Sequence, residues 1–199
     1  MKIVKKEGEN TVKQDNREIV DLIINRRSHR KYLNENISDD IIETIINCGR
    51  NAPFGGKPKP ECQVTEYIVI KDIQIKEKLA LNYEDRQFIK ESPVIIAILA
   101  NKENDPKYQE YIISSALAIE NMIIAAESLG IGACVLSCFL YHQKHIEDKI
   151  ISRKILNLPD NVELVALLSL GYKDNKEEIP NKELRNYEDV VHFNTYFNK

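Results

Sequence analysis

The densest group of side chains able to bind an anion lies near the start of the chain, where Arg26, Arg27, Ser28, His29 and Arg30 follow one another. Arginine presents a planar fork of N–H donors that pairs bidentately with phosphate oxygens, and a serine hydroxyl adds another donor. These residues also follow a predicted helix, and cations at a helix C-terminus are mildly stabilised by the helix dipole. On spacing alone the helix-terminus interpretation is favoured, and a phosphate-binding segment is the alternative.

Two glycine-containing segments could bring the backbone close to a flat or charged ligand. The first, residues 52–60, reads APFGGKPKP, and the second, residues 129–137, reads LGIGACVLS. Glycine permits a close backbone approach, but neither segment has the spacing of a dinucleotide-binding motif or a P-loop. The first is equally well explained as a loop, and the second as a helix stop followed by a buried strand.

The cysteines and histidines do not form a recognisable metal site. Cys48, Cys62, Cys134 and Cys138 contain no CxxC pair, and no histidines stand at metal-ligand spacing. We therefore expect free thiols, with Cys134 and Cys138 as small buried side chains rather than a redox pair. No histidine joins a serine or cysteine in a hydrolase motif.

Alternating helices and strands must position these segments. Ser38 is a predicted N-cap, and Asp39 and Asp40 follow it in a first turn where the helix dipole favours negative charge. Apolar residues at helical spacing predict five helices, over residues 17–27, 38–49, 74–83, 108–129 and 143–157. Runs of β-branched and aromatic residues predict four strands, over residues 64–70, 94–100, 133–137 and 162–170, and Gly171 breaks the last pattern. This alternation indicates an α+β or α/β sandwich.

The helix over residues 108–129 is apolar nearly all the way round. Such a helix is normally buried. A chain of 199 residues has limited interior for it, so one face could pack on a second copy of the chain. A central helix buried within the monomer is the alternative.

Composition limits the class of protein. Hydrophobic residues make up 43% of the chain and charged residues 30%, with a net charge of −3, so nothing favours a nucleic-acid partner. The apolar runs are too short to span a bilayer, and the first residues lack the apolar core of a secretion signal, which indicates no membrane partner and a cytoplasmic protein. We expect one domain over residues 1–199, with arms at 1–15 and 174–199.

The order of the motifs is more informative than any one of them. RRSHRKY is followed by NAPFGGKPKP, ENMIIAAESLGIGACVLS, LPDNVELVALLSLGY and ELRNYEDVVHFN. This succession resembles the nitroreductase family of FMN-dependent oxidoreductases over nearly the whole chain from about residue 17. The resemblance implies an α+β fold with a mixed central β-sheet flanked by helices, in an intertwined homodimer with FMN at the interface.

The resemblance also implies an activity, which is hydride transfer from NADH or NADPH to a nitroaromatic, quinone or other small acceptor by a ping-pong mechanism. The flavin ring would carry the chemistry, so no catalytic side chain is required. A cation at the flavin pyrimidine edge would suit the negative charge of the reduced ring. The matched cofactor-binding residues are Arg26 and Ser28 at the phosphate and ribityl chain, with Arg27 as their neighbour, Arg30 at the pyrimidine edge, Pro53, Phe54, Gly55 and Lys57 in the loop that reaches the partner's flavin, Val135, Leu136 and Ser137 with Cys138 beside the ring, and Lys182 and Arg185 as a second phosphate-binding pair.

The chain departs from the family pattern in one loop. The family loop often reads PSxxNxQPW, whereas here it reads PFGGKPKPE. An FMN-binding module without reductase activity is therefore an alternative function, and a non-flavin protein that binds another phosphate compound is a third. Lys57 and Lys59 either attract an anionic acceptor or nucleotide donor, or form a solvated pair on a loop.

Overall fold

The computed structural model describes residues 17–55, 59–83, 86–104, 110–138 and 143–196. A four-stranded sheet is built from β1 (Thr65–Ile70), β2 (Val94–Asn101), β3 (Ile131–Ser137) and β4 (Val162–Tyr172), in the order β1-β2-β4-β3. The α-helices of these residues are α1 (Arg17–Asn25), α2 (Asp39–Arg50), α3 (Ile73–Leu81), α4 (Phe88–Glu91), α5 (Tyr111–Ser128), α6 (Gln143–Ile155) and α7 (Tyr187–Val190). Short 3-10 turns lie at Pro60–Cys62 and Lys102–Asn104.

The α+β class is confirmed, but the described strands do not form the mixed sheet that the resemblance implies. All three neighbouring pairs are antiparallel. β2 and β3, which α5 connects, run in the same direction, yet β4 is inserted between them. The crossover therefore creates no parallel contact.

Helices cover both faces of the sheet. On one face, Ile96 and Ile98 of β2 pack in a cluster with α2 and α5. On the other face, Ile95 and Ala97 pack in a second cluster with α3 and α4. β2 is thus buried from both sides, as its unbroken apolar run predicts.

The N-terminus of α2 confirms the predicted cap. The Ser38 hydroxyl accepts a hydrogen bond from the N–H of Ile41 at 3.4 Å, and Asp39 and Asp40 lie in the first turn. The predicted end of α5 is confirmed as well, because Gly130 has the positive φ of 74° that favours glycine at a helix stop.

The prediction that Gly171 ends the fourth strand is wrong. β4 continues to Tyr172, and Gly171 pairs with Gly132 of β3. The backbone stays in the ladder because both glycines leave space for side chains of the segment that follows α1, as described below.

Two helices present apolar side chains outward. In α1 no residue is buried, and Val20 and Ile24 of the predicted stripe are 51% and 61% exposed. α5 buries one side against α2 and the sheet, while Ile113 and Leu117 on its other side are exposed. No described helix combines the length and apolarity needed to cross a bilayer.

Candidate functional site

The basic segment, which we define as residues 26–33, leaves α1 and crosses the start of β3 and the end of β4. The N–H of His29 donates to the carbonyl of Ala133 at 3.0 Å, and the N–H of Leu33 donates to the carbonyl of Tyr172 at 2.9 Å. Tyr32 also forms a β-bridge with Lys173. Backbone hydrogen bonds thus hold the segment on the sheet at two points.

Glycines in the sheet allow this close approach. A Cβ atom at Gly171 would lie 2.6 Å from ring atoms of Tyr32, and one at Gly132 would lie 2.9 Å from the Cβ of His29. Real Cβ contacts of this length are essentially absent from proteins. Any larger residue at either position would displace the basic segment.

In the basic segment, the Arg26 side chain has a hydrogen-bond donor that the described part of the protein does not use. Its side chain is only 21% exposed, and its Nε lies 3.8 Å from a carboxylate oxygen of Glu120. The Nε atom is buried and has no hydrogen-bond partner among the described residues. A buried donor without a partner is costly, and an anionic ligand would satisfy it.

Arg27 has a different local environment. Its guanidinium donates to the carbonyl oxygens of Ile24, Asn25 and Arg26 at 3.0–3.2 Å. These carbonyls lie at the end of α1, so the helix-terminus interpretation describes Arg27 but not Arg26. Ser28 is half-buried between them and the sheet, and the Arg30 side chain is exposed.

A buried hydroxyl pair lies beneath the basic segment. Tyr32 Oη donates to the carbonyl of His29 at 2.5 Å and lies 2.6 Å from Ser169 Oγ. Burial raises the pKa of the Tyr32 phenol far above its ordinary value, so the phenol stays protonated and can donate. Burial also raises the pKa of the Cys134 thiol, and the nearby Arg30 and Arg86 guanidinium groups oppose that rise.

The predicted loop of residues 53–55 packs at the start of α5. The N–H of Gly55 donates to Ser114 Oγ at 3.2 Å, and Glu110 lies against the Gly55 backbone. Within one chain, no hydrogen bond or ion pair of the described residues joins this loop to the basic segment. Lys57 lies outside the described residues, and Lys59 forms an exposed ion pair with Glu61 at 3.5 Å.

The predicted strand stretch presents mainly its backbone. Leu136 is buried in the core, Val135 is half-buried and Ser137 at the end of β3 is exposed. Cys138 is buried, and its Sγ lies 3.7 Å from Tyr83 Oη. This arrangement agrees with a strand whose backbone, rather than its side chains, would lie beside a ring.

The C-terminal basic pair stays apart from the basic segment in the described part of the chain. Lys182 and Arg185 are exposed, and Arg185 donates to the carbonyl of Asp189 at 3.1 Å. Glu177, which precedes both, does reach the basic segment. It accepts a hydrogen bond from the N–H of Arg30 at 2.8 Å and lies 3.2 Å from His29 Nδ1.

Comparison with known proteins decides the family. A model of the nitroreductase family matches residues 23–84 and 81–172, which is most of the chain. The chain belongs to the nitroreductase family. The predicted nitroreductase-like fold is therefore confirmed.

Relatives and solved structures of this family are similar over most of their lengths. A protein of Archaeoglobus fulgidus with the provisional name NADH dehydrogenase/NAD(P)H nitroreductase is 28% identical over 88% of this chain and 97% of its own. The FMN-dependent nitroreductase of Clostridium difficile has a TM-score of 0.72 at 24% identity, over 89% of this chain and 99% of its own. The NADPH:FMN oxidoreductase of Vibrio harveyi, solved with NAD⁺, has a TM-score of 0.76 at 21% identity, over 90% of this chain and 78% of its own.

Sequence reasoning missed several residues that contact the basic segment of this nitroreductase-family chain. Glu177 accepts a hydrogen bond from the Arg30 N–H, Ser169 Oγ lies 2.6 Å from the Tyr32 hydroxyl, and the Tyr172 carbonyl accepts from the Leu33 N–H. These contacts join residues far apart in the sequence, so no local pattern could reveal them. Gly132 lies in the segment of residues 129–137, for which the sequence did indicate a close backbone approach, whereas Gly171 was taken as a strand end.

A cleft of about 610 Å³ lies where β2 begins, away from the end of β3. Its lysines are engaged within the protein, since Lys71 pairs with Asp39, Lys90 pairs with Glu77, and Lys76 donates to the carbonyls of Ser92 and Pro93. Among the described residues, no group of three or more His, Cys, Asp or Glu side chains could hold a metal ion.

Proposed function

We propose that this chain is an FMN-dependent oxidoreductase that moves hydride from NADH or NADPH to a nitroaromatic, quinone or other small acceptor by a ping-pong mechanism. Membership of the nitroreductase family supports the oxidoreductase class. The names of relatives such as the NADPH-dependent FMN reductase of Bacillus subtilis support FMN and NADPH in particular.

The unpartnered Nε of Arg26 is the observation that carries the proposal. It lies on a segment that backbone hydrogen bonds hold to the sheet. A phosphate group offers the acceptor that this buried donor lacks, and binding through Arg26 and the adjacent Ser28 hydroxyl would satisfy it. The residues present therefore fit an FMN phosphate.

The remaining residues would hold the cofactor through charge and backbone contacts. FMN supplies the redox-active ring when it is bound. Arg30 would present a cation to the pyrimidine edge, Val135 and Ser137 would offer the end of β3 as a backbone support, and Lys182 and Arg185 would add charge at the phosphate. Arg27 would add a positive field while its guanidinium caps α1.

The separation of the two halves of the site supports a homodimer. Among the described residues, no hydrogen bond or ion pair joins the loop at Pro53, Phe54 and Gly55 to the basic segment of its own chain, as described above. In a dimer this loop, continued by Lys57, would reach the flavin of the partner. The apolar side chains that α1 and α5 present outward supply the surface for such an assembly.

Turnover distinguishes the enzyme from an FMN-binding module. NADPH or NADH oxidation by the FMN-loaded protein would be followed with menadione or a nitroaromatic as acceptor. We expect acceptor-dependent oxidation with parallel double-reciprocal plots, the pattern of a ping-pong mechanism. Tight FMN binding without any oxidation would support the module instead.

A further inference from the structure

Glu177 contacts the basic segment from a distance of 148 residues along the chain. One carboxylate oxygen accepts a hydrogen bond from the N–H of Arg30 at 2.8 Å, and the other lies 3.2 Å from Nδ1 of His29. Both side chains are enclosed, with 9% of Glu177 and 12% of His29 exposed. This contact is therefore a packed interaction rather than a surface ion pair.

The Arg30 N–H and the His29 carbonyl belong to one peptide group, and both ends of it are held. Tyr32 donates to the carbonyl at 2.5 Å, while Glu177 accepts from the N–H at 2.8 Å. The preceding N–H, that of His29, is held by the Ala133 carbonyl. Rotation of this peptide would break hydrogen bonds at both ends, which is costly for enclosed polar groups.

We propose that Glu177 is a positioning residue that fixes the His29–Arg30 peptide, so that Arg26, Ser28 and Arg30 are held in the orientation that binds the anionic ligand. The inference rests on the proposed function for the identity of that ligand as FMN. The same contact anchors the chain five residues before Lys182 and eight before Arg185. Glu177 thereby fixes the starting point of the second basic pair relative to the first.

The affinity for FMN tests the proposal. Glu177→Ala removes both acceptors, and we expect the FMN dissociation constant, measured by quenching of flavin fluorescence, to rise about tenfold. Glu177→Gln should restore affinity to within about threefold of the wild type, because its amide oxygen can still accept from Arg30 and its amide N–H can donate to unprotonated His29. If Glu177→Gln restores FMN affinity, the loss in Glu177→Ala comes from the missing hydrogen bonds to the His29–Arg30 peptide and not from a general loss of packing.

Glu178 provides the matched control. It is adjacent, exposed and equally charged, so Glu178→Ala should leave the affinity for FMN unchanged. Thermal midpoints of the FMN-free proteins would show whether each variant is folded. Should Glu177→Ala not fold, Glu177→Met retains most of the side-chain volume and removes the same acceptors, with the same expected loss of affinity.

Hydrogen exchange of the basic segment in FMN-free protein gives a readout independent of the ligand. We expect faster exchange at residues 29–33 in Glu177→Ala than in the wild type or Glu178→Ala. If the wild type binds no FMN, the proposed function fails and exchange alone decides the role of Glu177. Unchanged FMN affinity in Glu177→Ala and Glu177→Met, or unchanged exchange in Glu177→Ala where FMN does not bind, would overturn the positioning role.

Discussion

Arg26 is the residue on which the anion-binding interpretation most depends. Its neighbour Arg27 uses its guanidinium to bind carbonyls at the end of α1, whereas the Nε of Arg26 is buried without a hydrogen-bond partner in the described residues. Two adjacent arginines with the same chemistry therefore have different capacities for a ligand. The difference arises from where α1 ends and where the basic segment meets the sheet.

Replacing Arg26 should weaken the binding of FMN strongly. Loss of a charged donor to a phosphate costs about 2 kcal/mol, so Arg26→Ala should raise the FMN dissociation constant roughly thirtyfold. Isothermal titration of FMN-free protein would measure it. Lys31→Ala removes an exposed cation from the same segment and controls for net charge. Equal affinities of the two variants would contradict the role of Arg26.

Cys138 makes a second residue-scale prediction, which concerns reactivity. Burial raises the pKa of its thiol to about 11, and the Tyr83 and Lys149 side chains oppose the shift only in part. Because the thiolate is the nucleophile, iodoacetamide at pH 8 should label the half-buried Cys48 and Cys62 well before Cys138. Mass spectrometry of digested protein would measure the labelling. Early modification of Cys138 would contradict its enclosure.

The same pKa shift has a consequence for stability. The folded pKa lies above that of an unfolded thiol, so the contribution of Cys138 is fully present below about pH 9 and is lost as the pH rises toward 11. Cys138→Ala should therefore lose less free energy of unfolding between pH 8 and pH 10 than the wild type loses. Urea unfolding at both values would measure the difference.

Sequence reasoning located the residue types of the candidate site better than their contacts. The basic segment could be recognised because arginines and a serine stand together. The different environments of Arg26 and Arg27 could not be recognised from the sequence, because they depend on the residue at which α1 ends. Glu177 gave no signal at all, since its partners lie 147 and 148 residues away and its sequence neighbour Glu178 is exposed.

At the scale of elements, the site depends on how closely the basic segment lies on β3 and β4. Gly132 and Gly171 pair across these strands and leave room for His29 and Tyr32. The sequence pattern alone read Gly171 as a strand end, because glycine usually interrupts strands. The structure gives the other reason for glycine in a strand, which is close approach by another part of the chain.

Filling that space should disturb the segment. Gly171→Ala places a methyl group against the ring of Tyr32, which is itself held by hydrogen bonds, so we expect a loss of about 1–3 kcal/mol in the free energy of unfolding and weaker FMN binding. The same substitution in a Tyr32→Gly background should cost much less, because the Tyr32 Cβ, which also lies 2.6 Å from the added methyl group, is then removed together with the ring. Denaturant unfolding of the four proteins forms a double-mutant cycle. An equal cost in both backgrounds would contradict the steric argument.

The helix predictions were correct where the signals lie within one turn of the chain. They were incomplete where tertiary contacts decide whether an apolar helix face is buried. The cap at Ser38 and the stop at Gly130 were correct, because both follow from backbone chemistry within one turn. The apolar stripe of α1 correctly predicted a helix but not its environment. Its side chains remain exposed in a single chain, and no periodicity can tell whether an apolar face meets its own core or another copy.

At the scale of the whole molecule, three regions with exposed apolar side chains are candidates for contact with a second copy of the chain. They lie on α1, on the outer side of α5 and in the C-terminal segment, where Leu184, Phe193 and Tyr196 are each more than two-thirds exposed. An apolar groove of about 400 Å³ between α2 and α5 adds to this surface. Surfaces of this kind are typical of subunit interfaces.

Charge on α1 should therefore oppose assembly. The double variant Val20→Lys with Ile24→Lys alters one helical face, and we expect sedimentation velocity to detect the proposed dimer for the wild type and a monomer for the variant. FMN affinity should fall with it, because the loop at Pro53 and Phe54 would no longer reach the partner. Leu81→Lys, at a still more exposed apolar residue on α3 against the other face of the sheet, is the control. A double variant that stays dimeric would exclude α1 from the interface.

The most direct test of the central claim is the anaerobic addition of NADPH, and separately of NADH, to the FMN-loaded protein while the oxidised flavin band near ~450 nm is followed. We predict that at least one nicotinamide bleaches this band and that menadione then restores it. A protein that binds no FMN, or one whose bound FMN is reduced by neither nicotinamide, would contradict the proposal.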